Sequence, residues 1–490
     1  MKYLTKMRRN LLLCSALALF LLSGCKAPDK PNVVFILTDQ WRASALGYMG
    51  NPNVKTPQLD QLADQAVNFV NAVSVSPVCT PYRASLLTGR FPSSTGMILN
   101  DIYLPAEELC MAEIFQSAGY QTAYIGKWHL DGHGRLNNVE PERRQGFEYW
   151  KALECSHDYN HMLYYENEDP EQKTWDGYSP FAISKEATTY MNDHTDDQQP
   201  FLLFISIATP HFPYNSAPEE YMEMYPPSEI KFSPNVPEEL YERVLPEIQG
   251  YYAHCTATDL AIGSMVEQMR SLGLLENSIL VFTADHGEMM GSHGRLPYRK
   301  QLAWNESVHV PFLIRLPDGE SHQGVRVKAP LTTPDILPSL LSLCGIEIPN
   351  TIEGDDLSKL MLNPDPEADR AALVMNVSPF DVNWDDREYR GIRTARFTYA
   401  VSPEGPFMLF DDQEDPYQMD NLAGNPAYTD IQADLERQLG QELSEIGEET
   451  IKPKDFYIEK WGFEIEKNNI NYWSFYKGEG KVQSPKCKTD

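Results

Sequence analysis

Ser76-Pro77-Val78-Cys79-Thr80-Pro81-Tyr82-Arg83-Ala84-Ser85-Leu86-Leu87-Thr88-Gly89-Arg90 is the stretch on which the reading of this 490-residue chain turns. Pro81 sits where a helix begins, Arg83 follows one turn in, and Thr88-Gly89 supplies the residues that close it. A cysteine at a helix N-terminus beside an arginine has its thiolate stabilised, so residues alone make Cys79 a reactive thiol.

The run Cys79-x-Pro81-x-Arg83-Ala84-Ser85-Leu86-Leu87-Thr88-Gly89-Arg90 resembles the signature of the formylglycine-dependent sulfatases, in the alkaline phosphatase superfamily. That resemblance implies that a maturase oxidises Cys79 to an aldehyde whose hydrate attacks the sulfur of a sulfate ester. It also implies an α/β sandwich with a large, mostly parallel central sheet flanked by helices, and a smaller C-terminal α+β subdomain with an antiparallel sheet. The similarity extends from Asn32 to about Pro349, and more loosely through Arg390-Gly391-Ile392-Arg393-Thr394, Leu409-Phe410-Asp411 and Asp415-Pro416.

Patterning along the chain supports that class. Short β-branched or aromatic runs alternate with helical patterns, as in a largely parallel sheet. Four apolar runs end at polar residues: Val33 to Leu37 before Asp39, Thr122 to Ile125 before Lys127 and His129, Phe201 to Ile207 before His211, and Ser278 to Phe282 before Asp285. Ligands of open α/β sheets bind beyond the carboxyl ends of strands, so these endings are expected at one site. A helix is expected from Thr56-Pro57, with Leu59, Leu62, Ala63, Ala66 and Phe69 on one face. Further strands are expected over Pro311 to Leu316, Tyr389 to Val401 and Phe407 to Phe410, with a polar loop around Asp318-Gly319-Glu320 and an amphipathic helix over Asp430 to Ile446.

Lys2, Lys6, Arg8 and Arg9 precede an apolar run from Leu11 to Leu22, which is too short to span a bilayer core and reads as an export signal. Leu22-Ser23-Gly24-Cys25 resembles the bacterial lipobox, which implies cleavage before Cys25 and a lipid on its sulfur. The expected product is an exported, membrane-anchored lipoprotein, in the periplasm or at the cell surface. The expected division is a signal peptide over 1–24, a lipidated linker over 25–31, a catalytic domain over 32–365 and a C-terminal subdomain over 366–490.

The formal charge of −29 becomes more acidic once the basic leader is removed, and such a surface repels nucleic acid. An anionic substrate must then be captured by a local basic pocket. Eight cysteines without close spacing do not make a disulfide scaffold.

The family resemblance distributes roles over the strand endings. Asp39, Gln40, Asp285 and His286, with the residue formed from Cys79, are the expected metal ligands. Calcium is the first expectation, with magnesium or manganese open. Gln40 departs from the usual second aspartate, so the site loses one negative charge while keeping a carbonyl oxygen. Lys127 in Gly126-Lys127-Trp128-His129 and Lys300 are expected on the sulfate, and Arg83 helps to neutralise it. His129 deprotonates the nucleophile's remaining hydroxyl, and His211 in Pro210-His211-Phe212-Pro213 protonates the departing alcohol. Substrate contacts are expected from His133 and Arg135, and from His157, Asp158 and Asn160 in the polar, aromatic run Cys155 to His161.

The implied activity is hydrolysis of an O-sulfated carbohydrate, expected as a galactose or N-acetylgalactosamine sulfate of host or algal glycans. Two alternatives stay open: a formylglycine-dependent phosphonate or phosphate ester hydrolase, and a non-catalytic glycan-binding lipoprotein.

Overall fold

The computed structural model describes residues 30–461 apart from 196, 198, 318–323 and 378–386, together with the backbone of two short strands, Glu464–Glu466 and Asn469–Asn471. The leader with Cys25 and the loop at Asp318-Gly319-Glu320 lie outside the described residues.

Asn32–Asp39 is the spine of a ten-stranded sheet. It pairs in parallel with Phe201–Pro210 on one side and Ser278–Ala284 on the other. Gln121–Lys127 and Tyr149–Leu153 extend the parallel block beyond Phe201–Pro210. The edges are mixed: Phe312–Arg315 runs antiparallel to Ser278–Ala284, and the hairpin strands Leu163–Glu166 and Asp169–Thr174 close the other side. A block of five adjacent parallel strands makes the expected sheet, and its continuous apolar sequences have the expected cause. Val33 to Leu37 are fully buried, and every residue of Phe201–Pro210 is buried, because both sheet faces are covered.

Helices Ser179–His194 and Tyr241–Ser271 pack on each other and on Phe201–Pro210, while Cys79–Thr88 packs against Ile336–Leu343 and Met111–Ser117. The small sheet is antiparallel throughout, with Ala372–Asn376, Tyr389–Arg393, Phe397–Ser402 and Gly405–Asp411 in sequence order. Helix Thr429–Glu445 packs on it through Leu435, Leu439 and Leu443. The Met375 amide donates to the Val75 carbonyl at 2.7 Å and Thr332 Oγ1 donates to the Leu373 carbonyl at 2.8 Å, which ties this sheet to the segment leading into Cys79.

Three local expectations are corrected. The helix from Pro57 ends at Ala63, and Phe69 belongs to the strand Val67–Phe69, because that strand's pairing with Phe312–Arg315 and Val325–Val327 overrides the helical spacing of Ala66 and Phe69. Helix Cys79–Thr88 starts two residues before Pro81. The run Tyr389 to Val401 is two strands, turned where Thr394 Oγ1 accepts from the amides of Arg396 and Phe397.

One glycine is fixed by the sheet itself. Gly126 has φ +111°, and a Cβ there would lie 1.9 Å from the Ser206 carbonyl oxygen on the neighbouring strand. Gly126→Ala is therefore expected to lower unfolding free energy by roughly 2–4 kcal/mol, from overpacking plus backbone strain, and to displace Lys127. Denaturant unfolding and turnover measured on the same preparation check this: a variant with wild-type stability contradicts it.

Candidate active site

Asp39 ends its strand opposite Pro210, and Thr38 pairs with Ala284, so Asp39, His211 and Asp285 emerge side by side from three adjacent parallel strands. Lys127 ends the fourth strand of this block. The convergence expected from the strand endings is present.

Helix Cys79–Thr88 enters this point N-terminus first. Val78 is extended, Gly89 closes the helix with φ +66°, and Thr80 Oγ1 donates to the His129 carbonyl at 2.8 Å, which locks the helix start to the His129 turn. Cys79 Sγ lies 3.2 Å from His286 Nε2, 3.4 Å from Lys300 Nζ and 3.8 Å from Asp39 Oδ1. Burial opposes a thiolate, but Lys127, Lys300 and His286 outweigh it and hold the Cys79 thiol well below its ordinary pKa.

Arg83 points back from the second turn. Its Nη2 donates to Asp39 Oδ2 and Asp285 Oδ2, both at 3.2 Å, and its Nη1 donates to Ser206 Oγ at 2.8 Å and the Lys127 carbonyl at 3.0 Å. Lys127 Nζ donates to Asp39 Oδ2 at 2.5 Å. Arg83 is thus a clamp on the carboxylates, a role that its position in the motif does not reveal.

Ligand atoms of Asp39, Cys79, Asp285 and His286 lie within 4.8 Å of one another. His286 Nδ1 donates to the Gly287 carbonyl at 3.0 Å, which turns the Nε2 lone pair towards Asp285 Oδ1 at 3.5 Å and Asp39 Oδ1 at 3.7 Å. Burial and the nearby Asp39 charge raise the Asp285 pKa, the mark of two carboxylates competing in a dry site. Acceptor atoms gathered this closely fit a divalent cation, for which oxygens and an imidazole are ordinary ligands. Gln40 faces the same point: its Oε1 is 3.4 Å from Lys300 Nζ.

Two histidines are driven apart by their surroundings. Burial lowers the His129 pKa, yet Cys155 and a hydrogen bond to Asp101 raise it to about 9 overall. His129 Nε2 donates to Asp101 Oδ1 at 3.0 Å, and the buried Nδ1 has no hydrogen-bond partner among the described residues. For His211, burial and the Lys300 and Lys127 charges lower the pKa to about 4 against the pull of Asp39. Its Nδ1 donates to the Phe212 carbonyl at 2.9 Å, and Nε2 faces Lys300 Nζ at 3.5 Å.

The expected substrate contacts separate. His157 stacks on His211, with ring centroids 4.6 Å apart, and so belongs to the site. Arg135 reaches its edge through Asp101, which it grips at 2.8 and 2.7 Å. His133 bonds the Asp131 carbonyl and carboxylate and stacks on Tyr103. Asp158 accepts from the amides of Asn160 and His161, and Asn160 Nδ2 donates to the Ser216 carbonyl, so both shape the loop.

Asp101, Ser206, Tyr214 and Glu288 are site residues that the sequence reading missed, whereas Tyr159 comes from the expected run Cys155 to His161. Tyr159 Oη donates to the Phe212 carbonyl and lies 3.4 Å from His211 Nδ1. Only Glu288 carried a signal, as a further carboxylate just past Asp285-His286-Gly287. The four described cysteines besides Cys79, namely Cys110, Cys155, Cys255 and Cys344, are buried and unbridged.

The family profile described as Sulfatase matches residues 31–346, and one described as the C-terminal region of N-sulphoglucosamine sulphohydrolase matches 291–445. An ulvan-active sulfatase of Formosa agariphila is 58% identical, across 94% of this chain and 90% of its own. An endo-4-O-sulfatase of Bacteroides thetaiotaomicron is 30% identical across 88% and 96%. The crystal structure of the YidJ protein of Bacteroides fragilis superposes with TM-score 0.78 at 30% identity, covering 89% of this chain and 99% of that one.

Asp101→Asn keeps the shape of the His129 partner but removes the charge that orients the ring and raises its pKa. Turnover of an aryl sulfate is expected to fall on the order of 100-fold, with the thermal midpoint little changed. Unchanged kcat in a folded Asp101→Asn protein would rule out this control of His129.

Proposed function

The chain belongs to the sulfatase family and is a sulfuric ester hydrolase, and from that premise we propose that it removes O-sulfate from a carbohydrate with a formylglycine made from Cys79. The observation that carries the reading is the setting of Cys79: a buried helix start, within 3.2–3.8 Å of a histidine, a lysine and a carboxylate.

An aldehyde hydrate at this position would supply an oxygen nucleophile in place of the thiol. A divalent cation, calcium in the first instance, would be held by Asp39, Gln40, residue 79, Asp285 and His286, and would neutralise charge on the sulfate oxygens. The chain's own groups divide the remaining work. Lys127 and Lys300 hold the anion, with Arg83 keeping Asp39 and Asp285 in place behind it. His211 is neutral in the free site, and an arriving sulfate monoanion favours its protonated form, which then gives its proton to the departing alcohol at Nε2. His129, oriented by Asp101, is charged in the free site; with a divalent charge lowering its pKa it would take the hydroxyl proton at Nδ1 so that sulfate is expelled.

Substrate class rests on the relatives. The 58% identity to an ulvan-active sulfatase favours ulvan-type sulfated oligosaccharides within the sulfated glycans read from the sequence. The His157 ring on His211 would meet the leaving sugar. Export and lipid anchorage are proposed from the leader and Cys25. No described helix is long and apolar enough to cross a membrane.

A panel of position-defined sulfated saccharides, including ulvan, galactose and N-acetylgalactosamine sulfates, tests the proposal by release of inorganic sulfate. The matured protein is expected to desulfate ulvan oligosaccharides and to cleave aryl sulfate faster than aryl phosphonate. Cys79→Ala is expected to lose turnover, and active-site peptide mass spectrometry to show the aldehyde in wild type. Residual high activity in Cys79→Ala defeats the nucleophile assignment, and faster phosphonate cleavage defeats the ester preference. Separately, Cys25→Ala is expected to move the protein from the membrane fraction to the soluble fraction. Unchanged fractionation argues against the lipid anchor.

A further inference from the structure

Gln40 stands where the family resemblance places a second metal-ligating aspartate, and an amide can present either of two opposite ends. What decides between them is a carboxylate behind it. Glu288 is fully buried and receives four donors: Gln40 Nε2, Tyr214 Oη at 2.5 Å, the Met290 amide at 3.1 Å and the Tyr298 amide at 3.2 Å. Gln40 Nε2 also donates to Tyr214 Oη at 3.0 Å, which closes a ring of three side chains.

The three donors other than Gln40 make this carboxyl an acceptor, and an acceptor requires the NH₂ end of Gln40 to face it. Flipping the amide would set a carbonyl oxygen against a buried carboxylate and strand the NH₂ group among cations. Burial raises the Glu288 pKa, while Tyr214, the Met290 amide and Gln40 oppose that rise. The Gln40 backbone is held as firmly. Its N–H donates to Asp285 Oδ1 at 3.0 Å, its carbonyl accepts from Tyr251 Oη at 2.9 Å, and its φ is +65°. Gln40 Oε1 is left pointing into the site, beside Lys300 Nζ at 3.4 Å. That same ammonium lies 3.4 Å from Cys79 Sγ and 3.3 Å from His286 Nε2.

We infer that Glu288, assisted by Tyr214, is a positioning residue that fixes Gln40 Oε1 as a cation ligand. The inference rests on the metal set proposed above. Groups one layer behind a ligand commonly set metal affinity by 10- to 100-fold.

The test is calcium binding to the full-length protein after chelator stripping, read by isothermal titration calorimetry and by the calcium-dependent rise in thermal midpoint. Glu288→Gln is expected to weaken calcium binding roughly tenfold or more. The double variant Gln40→Glu with Glu288→Gln reverses the polarity of the pair and is expected to return affinity to near the wild-type value, which a merely structural role for Glu288 would not do. Tyr214→Phe should weaken calcium severalfold and stands in if Glu288→Gln does not fold. Wild-type calcium affinity in folded Glu288→Gln or Tyr214→Phe, or failure of the double variant to recover it, overturns the inference. Asp285→Asn separates the two readings. If it too binds calcium normally, the metal set itself is misplaced, whereas weakened binding in Asp285→Asn with none in Glu288→Gln sinks only the role of Glu288.

Discussion

A single buried guanidinium organises this molecule. Arg83 bonds Asp39, Lys127, Ser206 and Asp285, which lie in or directly after four adjacent strands of the parallel block. Burial works against its charge, and Asp285, Tyr124 and Asp39 more than restore it, so Arg83 stays a cation. Two carboxylates without exposed surface are held by that charge, and removing one partner from such a cluster costs about 3–5 kcal/mol. The helix that carries Arg83 is thereby fixed with its first residue, Cys79, over the ends of the strands.

From that placement the electrostatics of the pocket follow. A chain with a formal charge of −29 gathers Lys127, Lys300 and Arg83 around one point, which is how it can take up an anion that its surface repels. Burial with Lys300 and Lys127 lowers His211 to about 4, while Cys155 and Asp101 hold His129 at about 9 against burial. In the free site the proposed acid, His211, is therefore neutral and the proposed base, His129, charged; their roles need the charge balance that the ester and the cation would bring, the anion raising His211 and the divalent charge lowering His129.

Outside the pocket, polar residues more often serve the backbone. Asp158 and Asn160 shape a loop, and its neighbour His157 is the residue that the loop delivers onto His211. Arg390 and Glu448, bonded at 2.8 and 3.1 Å inside the C-terminal region, join the small sheet to the segment beyond helix Thr429–Glu445.

The sequence by itself determined most of the element types, the largely parallel sheet and the strand endings that meet at Cys79. Continuous apolar runs such as Val33 to Leu37 encode burial on both faces, and the Cys79-to-Arg90 motif is contiguous, so both are readable in one dimension. Pairing decided the rest. Val67–Phe69 became a strand because its neighbours in the sheet are distant in sequence, whatever its local spacing implied. Asp101 meets His129 across 28 residues and Glu288 meets Gln40 across 248. No local pattern marks such residues, because their function lies in orienting a partner's proton or lone pair, and that partnership exists only once the strand ends have been brought together.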